Sequence, residues 1–339
     1  MTRPCHSTIR RVAVHAPAER QTGTEIEDEV RSRHPGLRLL PGLLRQMYGF
    51  EERRVAPADA RPSDLAAAAA RSLLDECGLG PDAVDLLVFA SAGKDLEEPA
   101  TAHVVADRLG VTAPAFDVQN ACNGVLNALE IADAMIRAGR CRRVLIATGE
   151  RGSMLSRLPA RNRDELALLL PALTLGDLGA ALLVEASERP GLIGVHFVAN
   201  SAGWRAATVT NPYFTPGAPA MSLRFDSQAL AASFTGMEKQ AMGALREWGR
   251  KPDDLDVVCV HQPSRAFTRA ILDATGIDPG RAVTTFPRYG NVATASLPLQ
   301  LVEAAREGRL RPGALVALLG LASGASAGIA VMEWYPDPA

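Results

Sequence analysis

This 339-residue chain repeats itself at half its length, and that limits what it can fold into. Residues 81–89 read PDAVDLLVF and residues 252–260 read PDDLDVVCV, an offset of 252 − 81 = 171. In both, an acidic turn leads into an apolar run that suits a buried strand. A second pair recurs at nearly the same interval: AGRCRRVLIATG (138–149) resembles EGRLRPGALVALLG (307–320), with 307 − 138 = 169. Each is a helix end, a Gly-Arg turn and another buried strand. The simplest account is one α/β unit present twice.

The intervening elements fit that account. In the first half, Ser63 or Asp64 is placed to cap a helix that runs through LAAAAARSLLDEC and stops near Gly78. Then come a strand at 85–91, a helix near 101–109, a strand near 114–118, a long helix at 123–139 and a strand at 143–148. The second half reads as a helix near 233–248, a strand at 256–260, helices at 264–275 and 292–307, and strands near 314–319 and 328–334. Helices alternating with apolar strands predict α/β layers with mostly parallel sheets. Residues 150–175 read as a mostly helical insertion, and 200–228, rich in Gly, Pro, Ser and Thr, as loop. No flexible linker separates the halves, 1–186 and 187–339, so they are expected to pack as one body.

Composition removes several kinds of function. Hydrophobic residues make up 47% and charged residues 22%, too apolar for a disordered chain. With 36 basic and 38 acidic side chains, the net charge of −2 gives no reason to expect nucleic acid or an anionic membrane as the main partner. The cysteines (Cys5, Cys77, Cys122, Cys141 and Cys259) are odd in number and scattered, without a Cys-x-x-Cys pair or histidines at zinc spacing. Neither a disulfide framework nor a metal site is expected. The opening MTRPCHSTIRR lacks an apolar core of signal-peptide type, and no apolar run is long enough to span a bilayer. A cytoplasmic protein is expected.

Three segments carry chemistry. In FDVQNACNGVLNALEIADAMI a short strand ends at Val118 and a helix starts at about Asn123, which places Cys122 at a helix N-terminus. Free N–H groups and the helix dipole there favour a thiolate or a developing oxyanion. A buried, inert cysteine is the competing reading, and it suits Cys77, Cys141 and Cys259. In VVCVHQPSRAF, His261 follows a buried strand and precedes a helix, at the edge where sites in such folds lie. In FPRYGNVATASLPLQL, Asn291 begins the last long helix, nearly where the repeat puts Cys122: 291 − 122 = 169. It serves equally as a helix cap. Two halves facing each other would bring Cys122, His261 and Asn291 together. Thiolate, imidazole and amide suit acyl transfer through a thioester.

At these residues the chain resembles the thiolase superfamily and, within it, the β-ketoacyl-ACP synthase III group. DVQNACNG around Cys122, TLGDLGAALLV at Gly176-Asp177, VHQPSR at His261 and YGNVATASLP at Asn291 match its motifs in order. LLGLASGASAG (318–328) is similar to its final oxyanion loop. The resemblance implies a layered αβαβα fold, a homodimer without a cofactor, and an oxyanion hole from the backbone N–H groups of Cys122 and Ser323. It also implies acyl-CoA or an acyl carrier protein as partner. The strand near 114–118 resembles the buried interface strand of the family.

KDLEEPATAHVVADRLG (94–110), ELALLLPALTLG and HQPSR…GIDP resemble the OleA type, whose members join two acyl-CoA molecules head to head without decarboxylation. In that group a glutamate from the partner subunit is the base at the second chain's α-carbon, and Glu98, before Pro99, matches it. Condensation without loss of a carboxylate needs such a base. The pair that clamps the CoA adenine in the family falls near Leu43 and Leu169 here, and Ser264 replaces an amide that contacts the pantetheine. Arg151, Lys251, Arg265 and Arg269 are candidates for phosphate docking. The acyl tunnel is expected to use Leu and Met residues of 154–175 and 213–237. Decarboxylative extension with malonyl-ACP, and transfer of the acyl group to a hydroxyl or amine, are the competing reactions.

Overall fold

The computed structural model describes residues 6–36, 39–211 and 222–335. Cys5 and residues 213–221 of the expected acyl tunnel lie outside them. The strands are β1 (His6–His15), β2 (Glu19–Thr22), β3 (Glu52–Val55), β4 (Leu86–Ala90), β5 (Ala115–Val118), β6 (Arg143–Arg151), β7 (Asp177–Ser187), β8 (Leu192–Ala199), β9 (Ala207–Val209), β10 (Leu223–Phe225), β11 (Val257–Val260), β12 (Ala314–Ala322) and β13 (Ser326–Trp334). The helices are α1 (Gly23–Arg33), α2 (Leu43–Tyr48), α3 (Pro62–Glu76), α4 (Thr101–Leu109), α5 (Gly124–Arg137), α6 (Arg163–Leu169), α7 (Ser227–Ser233), α8 (Met237–Glu247), α9 (Arg265–Thr275), α10 (Phe286–Tyr289) and α11 (Ser296–Arg306).

Two sheets organise the chain, one per half. The first has the order β1-β7-β6-β4-β5 and the second β11-β12-β13-β8. Period-two alternation sends side chains to opposite faces. Leu86, Val88, Val144 and Ile146 point inward, into one core with Val125, Leu126 and Leu129 of α5, Leu297 and Leu301 of α11, and Val316 and Leu318 of the second sheet. Leu87, Phe89 and Leu145 point outward, under α3 and α4. Val258, Val260, Ala317 and Leu319 do the same in the second sheet, under α8 and α9. The result is a thiolase-like αβαβα stack with α5 and α11 as its central layer. α5 is buried at Val125, Leu126, Ala128, Leu129, Ala132 and Ile136 because it meets a sheet on either side.

The sheets are mixed, not mostly parallel. β4 is parallel to β5 and β6, and β11 to β12. The pairs β6–β7, β1–β7, β12–β13 and β8–β13 are antiparallel. Ser323–Ala325, between β12 and β13, is too short for a parallel crossover, and the insertion likewise returns the chain beside β6. β5, expected as an interface strand, has one open side in the single chain. It is the edge of its sheet, paired with β4 on one side, and Phe116 is 38% exposed. α3 starts one turn earlier than its expected caps. Arg61 is the N-cap and Pro62 the first residue, while Asp64 accepts a hydrogen bond from the Arg61 N–H at 2.8 Å.

Residues 152–174 of the insertion form two 3₁₀ turns around α6. Arg53, 2% exposed, fastens them by donating to the carbonyl of Leu175 at 2.8 Å and to Ser156 Oγ at 3.0 Å. Burial lowers its pKa to about 10, so it stays charged near neutral pH. Among the described residues, no helix is long and apolar enough to cross a membrane.

Candidate active site

The chain passes from β5 to α5 through a tight turn. Ala121 takes φ 42°, in the left-handed region, and Asn123 is the N-cap. The Asn123 side chain does not cap the helix. Its Nδ2 donates across the molecule to the carbonyl and the hydroxyl of Ser326, both at 3.0 Å. The helix N-terminus beside Cys122 is therefore left without a side-chain cap. Cys122 is partly exposed. Burial, with the negative charge of Glu150 second, pushes its thiol up to about 12. The expected helix-end thiolate is thus a neutral thiol at rest.

The second half repeats this turn. Ala293 takes φ 43° and precedes α11 as Ala121 precedes α5: 293 − 121 and 296 − 124 both equal 172. The counterpart of Cys122 is therefore Thr294, not Asn291. Asn291 lies three residues earlier, ahead of the 3₁₀ turn Ala293–Ala295 rather than on the long helix. Its Oδ1 accepts the Ala293 N–H at 2.9 Å, which leaves its amide N–H groups to offer. Its backbone is held to the insertion: the Asn291 N–H donates to Thr174 O at 2.9 Å, and the Gly176 N–H to Asn291 O at 3.0 Å. A Cβ on Gly290 would lie 2.1 Å from Thr174 O, which is why glycine precedes Asn291.

His261 directly follows β11, and its N–H donates to Leu319 O at 2.8 Å. It is 4% exposed, and burial lowers its imidazole to about 4, so it is neutral near pH 7. Nδ1 has no hydrogen-bond partner among the described residues. One residue beyond Leu319, a Cβ on Gly320 would lie 2.1 Å from Asn123 Oδ1. On the other side, a Cβ on Gly124 would meet Thr294 Cγ2 at 3.3 Å. The turns of Cys122, His261 and Asn291 thus meet at the N-terminal ends of α5 and α11. Ser323 sits beside them in the β12–β13 connection, close to the Ser326 that binds Asn123.

Glu98 is exposed on the segment between β4 and α4. The start of α4, three residues beyond Glu98, is tied to β5, since Asp117 accepts the N–H groups of Thr101 and Ala102 at 2.9 and 2.7 Å. Ser264 caps α9, its Oγ accepting the Phe267 N–H at 3.1 Å. Arg265 and Arg269 are exposed along that helix. They border a cleft of about 190 Å³ shared with Gln262, Thr268, Phe286 and Pro287.

One docking candidate is corrected. Arg151 turns inward, donating to the carbonyls of Pro57 and Ala60 beside Asp177, and its side chain is 7% exposed. It braces β6 and is not presented to a ligand. Lys251 precedes β11 while His261 follows it, so the two lie at opposite ends of that strand. Leu169 is buried in a core that also holds Phe50 and Phe286, with Leu43 packed against it, and neither leucine offers a ring or a guanidinium to an adenine. Sequence reasoning missed Glu150, a 4%-exposed acid at the end of an apolar strand. A charge that ends a buried run was its one visible signal.

A cysteine turn, a histidine turn and an asparagine turn at one end of a central helix pair define a thiolase-like acyl-transferring protein. Residues 116–201 match the family model of 3-oxoacyl-(acyl-carrier-protein) synthase III, and residues 245–334 match the model of its C-terminal part. The chain is 31% identical over 323 residues to the acyl-CoA:acyl-CoA alkyltransferase of Xanthomonas campestris, covering 92% of this chain and 94% of that one. It is 32% identical to the β-ketoacyl-(acyl-carrier-protein) synthase III of Thiobacillus denitrificans, covering 84% and 88%. A crystal structure of a cysteine-to-serine variant of Xanthomonas campestris OleA, with bound lauric acid and lauroyl-CoA, matches with a TM-score of 0.88 at 28% identity, covering 97% and 99%. The chain belongs to the 3-oxoacyl-(acyl-carrier-protein) synthase III family. It is an acyl-thioester-condensing enzyme.

Proposed function

We propose that this enzyme joins two acyl-CoA molecules without decarboxylation, through an acyl group carried on Cys122. The observation that carries this reading is Glu98 in its exposed Glu-Pro segment just before α4, whose start is tied to β5, together with the likeness to OleA-type proteins over nearly the whole chain. In this reading two copies pair along β5, and Glu98 of one protomer serves the site of its partner. Cys122 attacks the first thioester. A thiol held near 12 needs a base, and the neutral imidazole of His261 takes its proton. The backbone N–H groups of Cys122 and Ser323 hold the oxyanion, and the departing CoA thiol recovers the proton.

In the second step Glu98 removes an α-proton from the second acyl-CoA. His261 and the amide of Asn291 donate to the carbonyl that becomes an enolate. The carbanion attacks the acyl-Cys122 carbonyl, a C–C bond forms, the acyl–Sγ bond breaks, and Cys122 regains a proton from solvent, to which Glu98 releases the α-proton. Ser264, Arg265 and Arg269 along α9 serve the pantetheine and phosphates of CoA. The reaction takes place in the cytoplasm and needs no cofactor.

Intact-mass measurement after incubation with a panel of acyl-CoAs tests the first step. The wild-type protein gains one acyl mass and the Cys122→Ala protein gains none; an equal adduct on both would refute it. Product analysis with Glu98→Gln tests the second step. Joining of two acyl-CoAs is lost, whereas a decarboxylative enzyme fed malonyl thioester would keep its activity.

A further inference from the structure

Glu150 is buried at the end of β6 and takes no part in the steps above. Its Oε1 receives the Ala92 N–H at 2.9 Å, the Ser91 hydroxyl at 3.0 Å and the Thr294 hydroxyl. Thr294 Oγ1 is also 2.5 Å from Thr148 Oγ1, on the same strand as Glu150. These contacts cross between the halves, because Thr294 belongs to the turn that follows Asn291. They also reach the nucleophile. Ala92 O accepts the side-chain amide of Gln119, three residues before Cys122, at 3.1 Å, and Thr294 lies against Gly124, two residues after it.

We propose that Glu150 is a positioning residue of the condensation. It locks the Thr294 turn that follows Asn291 against the Cys122 turn, and its charge opposes the free thiolate while leaving the acyl-cysteine untouched. The inference rests on Cys122 as the acyl carrier. A carboxylate near a sulfur penalises S⁻, whereas a thioester carries no charge to penalise. When Cys122 is acylated, the Sγ–acyl bond forms, the acyl–CoA sulfur bond breaks, and the Cys122 proton leaves with the CoA thiol. The carboxylate thus disfavours the free thiolate relative to both the thiol and the acyl-cysteine.

The groups around the pair support this assignment. His261 is neutral, and Arg151, next to Glu150, is turned toward Pro57, Ala60 and Asp177. Ser91, Thr148 and Thr294 carry no charge. Burial raises the pKa of Glu150 itself, so the carboxyl and the Cys122 thiol titrate as a coupled pair.

The test compares wild type, Glu150→Gln, Thr294→Val and Thr294→Ser. Alkylation of Cys122 by iodoacetamide is followed by peptide mass across pH, and acyl adduct and product formation are followed separately. Gln keeps an acceptor for Ala92 and Thr294 and removes the charge. The alkylation profile of Glu150→Gln moves to lower pH by about one unit or more. Thr294→Val forms the acyl adduct in full but loses turnover by about tenfold or more, and Thr294→Ser recovers it. Coincident alkylation profiles for wild type and Glu150→Gln overturn the electrostatic part, and undiminished turnover in Thr294→Val overturns the positioning part. Alkylation needs no acyl substrate, so a wild-type protein that makes no condensation product would refute the proposed function without deciding the alkylation result.

Discussion

Asn123 of the first half donates its amide to Ser326 of the second half, to both the carbonyl and the hydroxyl at 3.0 Å. The residue after the nucleophile is thereby tied to the strand that follows Ser323. Asn123→Ala leaves buried oxygens of Ser326 unpaired and is expected to cost about 1–2 kcal/mol in urea unfolding. In the proposed mechanism single-turnover acylation of Cys122 slows in the same variant, because the turns of Cys122 and Ser323 lose their common tie.

His261 makes stability depend on pH. Its folded pKa, about 4, lies below the ordinary 6.5. Between these values the unfolded chain binds a proton that the folded chain does not, so stability is full above 6.5 and falls as pH drops. The slope approaches about 1.4 kcal/mol per pH unit inside that window. The raised pKa of Glu150 acts with the opposite sign, favouring the folded state at lower pH. Urea midpoints of wild type and His261→Gln, measured from pH 7.5 to 5, isolate the histidine: the loss on acidification is smaller in the variant.

Gly290 combines φ 68° with a Cβ position 2.1 Å from Thr174 O. Gly290→Ala must break the 2.9 Å bond from the Asn291 N–H to that same oxygen. It is expected to destabilise by about 2 kcal/mol or more, seen as a lower melting temperature. Condensation is lost even where the protein remains folded, since Asn291 moves with its neighbour.

Arg265 and Arg269, proposed to dock phosphates, line the α9 cleft, whereas Lys251 stands at the other end of β11 from His261. Arg265→Glu with Arg269→Glu reverses two charges beside the α9 cleft and is expected to raise KM for acyl-CoA by about tenfold, an effect that weakens as salt is added. Lys251→Glu, at the far end of β11, leaves KM unchanged. Steady-state kinetics at two ionic strengths decides it.

Much of the frame was legible in the sequence because buried strands and helix periods write themselves into apolar spacing. β4, α4, β5, α5, β11 and α9 fall within a residue or two of their expected limits. β1, β7 and β8 were missed; in β1, HSTIRRVAVH buries Ser7 and leaves Arg11 exposed, and no apolar run marks it. Strand direction was misjudged because pairing is a long-range property. Nothing local to DLGAALLVEAS says that β7 will lie antiparallel between β1 and β6. At the site, Cys122, His261 and Asn291 stand where elements meet, and repeat spacing finds such places. Arg151 was misplaced because an inward-braced arginine and a ligand-facing one read alike.

The twin turns at Ala121 and Ala293 mean that the scaffold owns two equivalent sockets. One presents a thiol; the other holds the hydroxyl of Thr294, tethered by Glu150. The two halves share one frame, and the second keeps the shape of the turn without a thiol. A designer seeking a second nucleophile would find a backbone already folded to receive one at position 294, with Glu150 as the tether to be removed.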